Sequence, residues 1–227
     1  MSSRGVRRIT SDDSSDEGTT MTDEATRAAV IAERTDLAEI LAGLTPEQWG
    51  HPSLCVGWRT REVVAHMTMP FRLPRRRFLT GMIRARGNFN RFADRQARAD
   101  TQTMSDQELL AQMRDHIEHP WRPPGGGNAG ALSHDVIHGL DFTVALGLPR
   151  AVPPERVAII LKETRGRNIK YFGTDLSNVR LVATDVDWTF GEGKALHGRG
   201  QDLLLVIAGR RLPEGMLVGE AAGRYTL

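Results

Sequence analysis

The sequence predicts a mainly α fold: a bundle of four principal helices with a small α/β domain after it. Three observations carry this. Apolar residues recur at helical spacing through most of the first 170 residues. Helix-start signatures punctuate that pattern, with Thr45-Pro46-Glu47-Gln48 and Ser105-Asp106-Gln107-Glu108 both reading as capping boxes. Near residue 174 the texture changes to short β-type runs separated by polar turns.

Taken in order, residues 1–21 contain no apolar run and read as a disordered, solvated tail rather than a secretory signal. From Thr22 to Leu44, Val30, Leu37, Leu41 and Leu44 form one apolar stripe. Thr45 then caps a short helix, with Pro46 suited to its first turn and Leu44 and Trp49 spaced as a hydrophobic staple. A second long helix starts near Thr60, after a turn at Gly57-Trp58, and carries Val63, Val64, His66 and Met67. Pro70 has no N–H for the carbonyl of residue 66, so a kink is expected just beyond the histidine.

An arginine-rich segment leads to the helix of Leu109, Leu110, Met113 and Ile117. Pro123-Pro124-Gly125-Gly126-Gly127 breaks the chain, and Asn128 is the expected cap of a helix bearing His134 and His138 that ends at Gly147. Pro153-Pro154-Glu155 opens another helix, with Val157, Ile160, Leu161 and Tyr171 on its buried side. Beyond it, Arg180–Thr184 and Trp188–Phe190 read as strands, Gln201–Gly209 as a short helix and Leu217-Val218 as a further strand. The expected division is a tail over 1–21, a helical bundle over 22–173 and an α/β domain over 174–227.

Composition narrows the function. A chain of 227 residues with 40% hydrophobic content suffices for a sizeable core, and no run approaches the roughly 20 apolar residues of a membrane span. Cys55 is the only cysteine, which rules out an internal disulfide and fits a reducing, cytoplasmic compartment. The net charge of +2 does not argue for nucleic acid, and neither a nucleic-acid nor a membrane partner is expected. The charge is nevertheless uneven. Between Arg72 and Arg98 nine arginines face the single acid Asp94, reading either as a solvated face or as a lid or groove for an anionic substrate.

The candidate chemistry lies in three histidines. His134 and His138 are four residues apart and share a helix face, close enough to grip one ion. Asp141 falls on the same face, and a strip of two imidazoles and a carboxylate is costly to bury without partners. His66, from another helix, would complete a three-ligand site with one position open, the arrangement of catalytic zinc. Asp135 or Asp141 would orient an imidazole. Core or solvent-facing histidines remain the competing reading, and Cys55 reads as a lone structural thiol. His51, His116, His119 and His197 are taken as surface residues.

Two blocks carry a family resemblance. The run Cys55-Val-Gly-Trp58 through Val63-Val64-Ala65-His66 resembles the C-x-G-W…V-V-A-H block of the DinB-like, mycothiol-dependent maleylpyruvate isomerase family, and His134-Asp-Val-Ile-His138-Gly-Leu-Asp141 looks like its second block. The tail from Arg180 to Arg210 is similar to the family's small C-terminal domain. The resemblance implies a DinB-like four-helix bundle with a long crossover between its second and third helices. It also implies a divalent metal, most often zinc, held by His66, His134 and His138, with mycothiol as the thiol cosubstrate.

The isomerase branch often has Glu where this chain has His134. The implied function is therefore a thiol-dependent transferase or isomerase acting on an electrophilic small molecule. The alternative is a non-catalytic metal- or small-ligand-binding protein on the same scaffold. Arg72, Arg75, Arg76 and Arg77 are candidates for holding substrate carboxylates.

Overall fold

The computed structural model describes the backbone of residues 14–227 and the side chains from Asp23 onward, apart from residues 167–168. Four helices form the bundle. They are α1 (Ser14–Ala42), α3 (Thr60–Arg72), α6 (Asp106–Asp115) and α7 (Gly127–Ala145), with the short α2 (Pro46–Trp49) between the first two. Helix α1 packs on α6 and α7, and α3 packs on the same pair from the other side. The crossover from α3 to α6 is long and itself helical, comprising α4 (Arg75–Arg84) and α5 (Phe89–Thr103). Helices α8 (Pro154–Lys162) and α9 (Gly166–Phe172) lead into a four-stranded sheet of β1 (Val179–Ala183), β2 (Thr189–Gly191), β3 (Lys194–Gly198) and β4 (Leu217–Val218), with α10 (Gly200–Ile207) after β3. The sheet order is β2-β1-β3-β4, with β1 and β3 parallel and both edges antiparallel.

Local chemistry explains the element starts. Thr45 accepts from the Gln48 backbone while the Gln48 side chain accepts from the Thr45 N–H, and Ser105 and Glu108 do the same for α6. Such caps satisfy donors the helix cannot use and contribute about 1 kcal/mol each. Helix α7 packs on two sides. Phe142 joins Leu37, Leu41, Val63, Val64, Met67 and Leu109 in the bundle core. Leu132, Val136 and Leu140 join Val157, Leu161, Leu181, Leu196 and Leu203 in a core that runs on into the sheet. Each such side chain contributes about 1.5–3 kcal/mol when fully buried. Gly139 brings α1 close, since a Cβ there would lie 2.6 Å from Leu37 Cδ2. Glu33 of α1 binds both Arg150 and Arg156, tying that helix to the chain entering α8.

Several local expectations are corrected. Helix α1 is drawn from Ser14, inside the stretch expected as a tail, and the remainder of that stretch (1–13) lies outside the described residues. Helix α3 continues through Pro70 as far as Arg72, so the proline removes one backbone bond without ending the helix, and Arg72 Nη2 reaches back to the Ala65 carbonyl at 2.7 Å.

The cap residue of α7 is Gly126, and Asn128 is buried inside the helix, its amide donating to the Asp23 carboxylate at 3.0 Å. Tyr171 is 65% exposed, because α8 ends at Lys162 and a separate helix carries the tyrosine outward. Strand β3 gives little sequence signal: only Leu196 and Gly198 of Lys194–Gly198 are buried, and the strand is defined by its parallel register with β1.

Candidate metal centre

Helix α3 presents His66 from the middle of its buried face, where Val63, Val64, Ala65 and Met67 are wholly enclosed. Helix α7 presents His134 and His138 from successive turns on the side facing α3. The three imidazoles meet, with ligand-capable atoms all within 4.8 Å of one another. Ring centroids are 4.8 Å apart for His66–His138 and His134–His138, and 5.2 Å for His66–His134. His66 is buried, whereas the His134 and His138 side chains keep 15% and 14% exposure, leaving the cluster open on their side.

Each α7 histidine is oriented by a carboxylate, and each carboxylate is held by an arginine. His134 Nδ1 lies 2.9 Å from Asp135 Oδ1, and Asp135 Oδ2 accepts from Arg34 Nε at 2.7 Å. His138 Nδ1 lies 3.0 Å from Asp141 Oδ2, and Arg210 donates to both Asp141 oxygens at 2.8 Å. Burial pushes both carboxyls up, but their imidazole and guanidinium partners outweigh it and hold Asp135 and Asp141 below the ordinary carboxylate value. An ionised carboxylate only accepts, so Nδ1 of each histidine carries a proton, which leaves Nε2 as the atom able to ligate a metal.

His66 is different. Burial first, then the neighbouring His138, His134 and Arg210 charges, hold its pKa well below the ordinary imidazole value. Burial lowers His138 as well, against the opposing pull of Asp141. Both are therefore neutral near pH 7, the form in which imidazole binds metals. The Nδ1 atom of His66 is buried with no protein partner. Orphaned buried polar atoms are rare and cost about 1–3 kcal/mol. Three converging imidazoles, two of them oriented by carboxylates and one with an orphaned nitrogen, are a donor set that fits a divalent transition metal.

Aromatic rings surround the cluster. Trp58 stands 5.2 Å from His66, Phe89 at 6.4 Å, and Trp121 stands 5.0 Å from His134. The Trp58 ring is fixed by its Nε1 donating to Asp94 at 2.8 Å.

Other sequence candidates lie elsewhere. Arg72 donates to Asp100 at 2.8 Å and to the Ala65 carbonyl, so its guanidinium is engaged structurally. Arg75, Arg76 and Arg77 are exposed on α4. Burial, and then Asp141, push the Cys55 thiol up to about 11, and its Sγ accepts from Arg210 Nη2 at 3.8 Å. The thiol is thus protonated, and it lies outside the histidine cluster, linked to it only through Arg210 and Asp141. His116 and His119, expected on the surface, are half-buried against the Phe71 ring.

Arg34, Arg210, Phe89 and Trp121 escaped the sequence reading. Only Arg34 left a usable trace: it occupies a stripe position between Val30 and Leu37, where a fully buried charge calls for a partner.

Fold and site together define a class, a four-helix bundle with a small α/β part and a three-histidine cluster between α3 and α7. Residues 30–121 match the family described as "Mycothiol maleylpyruvate isomerase N-terminal domain". The chain thus resembles the DinB-like, mycothiol-dependent maleylpyruvate isomerase family, as its motifs imply. The matched stretch contains His66, and His134 and His138 follow it. Two solved structures share the fold, the mycothiol-dependent maleylpyruvate isomerase and a histidine-to-alanine mutant of it, with TM-scores of 0.55 and 0.57. Each is 12% identical, with 88% of this chain and 93% of that chain covered, a likeness of fold. No curated protein matches the sequence.

Proposed function

We propose that the protein is a metal-dependent, low-molecular-weight-thiol-dependent transferase or isomerase, with mycothiol as the thiol and an electrophilic small molecule as the substrate. His66, His134 and His138 are its metal ligands, and zinc is the first candidate ion. The observation that carries this reading is the convergence of three imidazoles, two of them set by His–Asp–Arg chains. The matched family and the structural relatives, a mycothiol-dependent isomerase and its mutant, support the choice of thiol and of reaction class.

When bound, such an ion brings a thiol's pKa down toward neutrality. The chain's own residues do the rest. Asp135 and Asp141 hold two imidazoles in the ligating tautomer. Trp58, Phe89 and Trp121 screen the cluster from water. Cys55 stays protonated, so the reacting thiol comes from outside the chain. The single cysteine suits a cytoplasmic, reducing setting.

The deciding experiment is metal analysis of untagged protein purified without added metal, beside His66→Ala, followed by a screen for thiol-dependent consumption of electrophiles. About one zinc per chain, lost in the variant, together with thiol-dependent turnover is the expected result. Zinc without turnover would favour a binding protein on this scaffold. No metal, even after zinc is offered, would overturn the reading.

A further inference from the structure

Helix α4 rests on the protein by a narrow inner strip. Phe78 meets the Phe92 ring edge-on at 5.3 Å, Met82 packs beside Phe92, and Gly81 sits so close that an added Cβ would enter that ring. The strip fixes which side of α4 faces out. On that side Leu79 and Ile83, one turn apart, are 60% and 77% exposed, and no residue of the helix is buried.

Exposed arginines accompany these two aliphatic side chains along the same stretch of chain: Arg75, Arg76, Arg77 and Arg84 on α4 itself, Arg86 just after it, and Arg91 and Arg95 on α5, which packs against α4. Among the described residues none of the seven makes a side-chain ion pair or hydrogen bond. The other two arginines of the segment are engaged, Arg72 with Asp100 and Arg98 with Asp94, so its single acid is already used. A merely solvated face would not need two large aliphatic side chains exposed on the same helix as four unpaired cations.

We infer that α4 and the start of α5 form a seat for an anionic phospholipid surface, with Leu79 and Ile83 inserted among the acyl chains and the arginines on the headgroup phosphates. Short helices with an apolar strip bordered by cations bind membrane interfaces in this way, and clusters of four to eight basic residues select anionic lipid. Charge decides against a second copy of this chain, which would set seven arginines against seven. The aliphatic strip decides against nucleic acid, whose phosphates give Leu79 and Ile83 nothing to bury against. Phe89, at the end of this surface, stands 6.4 Å from His66, so the seat would hold the histidine cluster close to the lipid. The inference concerns a surface contact; among the described residues no helix is long and apolar enough to cross a membrane.

The test is flotation of the full chain with vesicles of phosphatidylcholine alone or containing phosphatidylglycerol. Binding to the anionic vesicles only, weakening with salt, is expected. Replacing Leu79→Ser together with Ile83→Ser leaves the charge unchanged and should weaken partitioning about tenfold. Arg76→Gln should weaken it about fivefold. All three positions are exposed, and circular dichroism should confirm that the fold is intact. Failure to bind anionic vesicles at low salt would overturn the inference. So would serine variants that bind as well as the parent, competition by a short DNA duplex at equal charge, or a dimer in light scattering that the serine variants dissolve.

Discussion

Arg210 grips Asp141 side-on through one edge of its guanidinium, Nε to Oδ1 and Nη2 to Oδ2, each at 2.8 Å. Asp141 in turn receives His138 Nδ1 at 3.0 Å. A residue just after α10 thereby sets the tautomer of an imidazole on α7, which couples the C-terminal α/β part to the histidine cluster.

Substitution of Arg210 should therefore act on both stability and metal binding. The Asp141 side chain is 0% exposed, so Arg210→Met strands a buried carboxylate, at a cost of about 3–5 kcal/mol. Arg210→Lys retains the charge but not the fork, and should weaken metal binding about 10–100-fold. Chemical denaturation and competition with a chelator read the two effects. Asp141→Asn in the Arg210→Met background should recover part of the stability, as coupled partners require. Strictly additive losses would show that the two residues do not act as a pair.

His66 gives a cleaner separation of metal from fold. Its Nδ1 has no protein partner, so His66→Ala breaks no side-chain hydrogen bond in the metal-free protein. A site bound by zinc at a thousandfold excess over its Kd stabilises the fold by about 4 kcal/mol. Zinc is expected to raise the Tm of the parent and leave that of His66→Ala unmoved. Equal shifts in the two proteins would mean that zinc binds elsewhere.

The parts legible in sequence were those written locally. Capping boxes at Thr45 and Ser105 and the apolar stripe of Val30, Leu37 and Leu41 announced helices that are present. His134 and His138 were readable as a pair because four-residue spacing is a property of one helix. Their convergence with His66 is a tertiary fact, as are Arg34 and Arg210, which lie 101 and 69 residues from the aspartates they hold. The arginine-rich stretch hid two helices, since its charge masked the inner strip of Phe78, Gly81 and Met82. Strand β3 was missed because its partner β1 supplies the reason for it to be extended.

Cys55 bears on which thiol reacts. With a pKa raised from 9.0 to about 11, its thiolate population at pH 8 is about a hundredfold below that of an ordinary cysteine, and iodoacetamide should label it correspondingly slowly. The raised value also gives a sign for alkaline stability. The unfolded thiol ionises first, so its contribution is intact below pH 9 and is lost as the pH rises toward 11. Cys55→Ser should remove that alkaline loss and leave any thiol-dependent turnover in place. Rapid labelling near neutrality, or loss of turnover in the serine variant, would make Cys55 the nucleophile.

Asp202 offers a stabilising substitution with a built-in control. It is buried near the start of α10, its Oδ1 has no partner, and its carboxyl is pushed from 3.8 up to about 6. Burial is the main cause, with Asp185 adding to it and Arg199 and Gln201 only partly opposing. Because the folded value is the higher one, the contribution is fully present below pH 3.8 and is lost as the pH rises through 6. At neutral pH the ionised carboxylate therefore costs up to about 3 kcal/mol, taking 1.36 kcal/mol for each of roughly two pKa units. Asp202→Asn keeps the shape without the charge, so it should stabilise the protein by a comparable amount at pH 7 and by almost nothing at pH 3.5. Denaturant titrations at the two pH values decide the matter. A variant that is less stable at pH 7 would mean that the Asp202 carboxylate has a charged partner in solution, and that the ion, rather than burial, governs the start of α10.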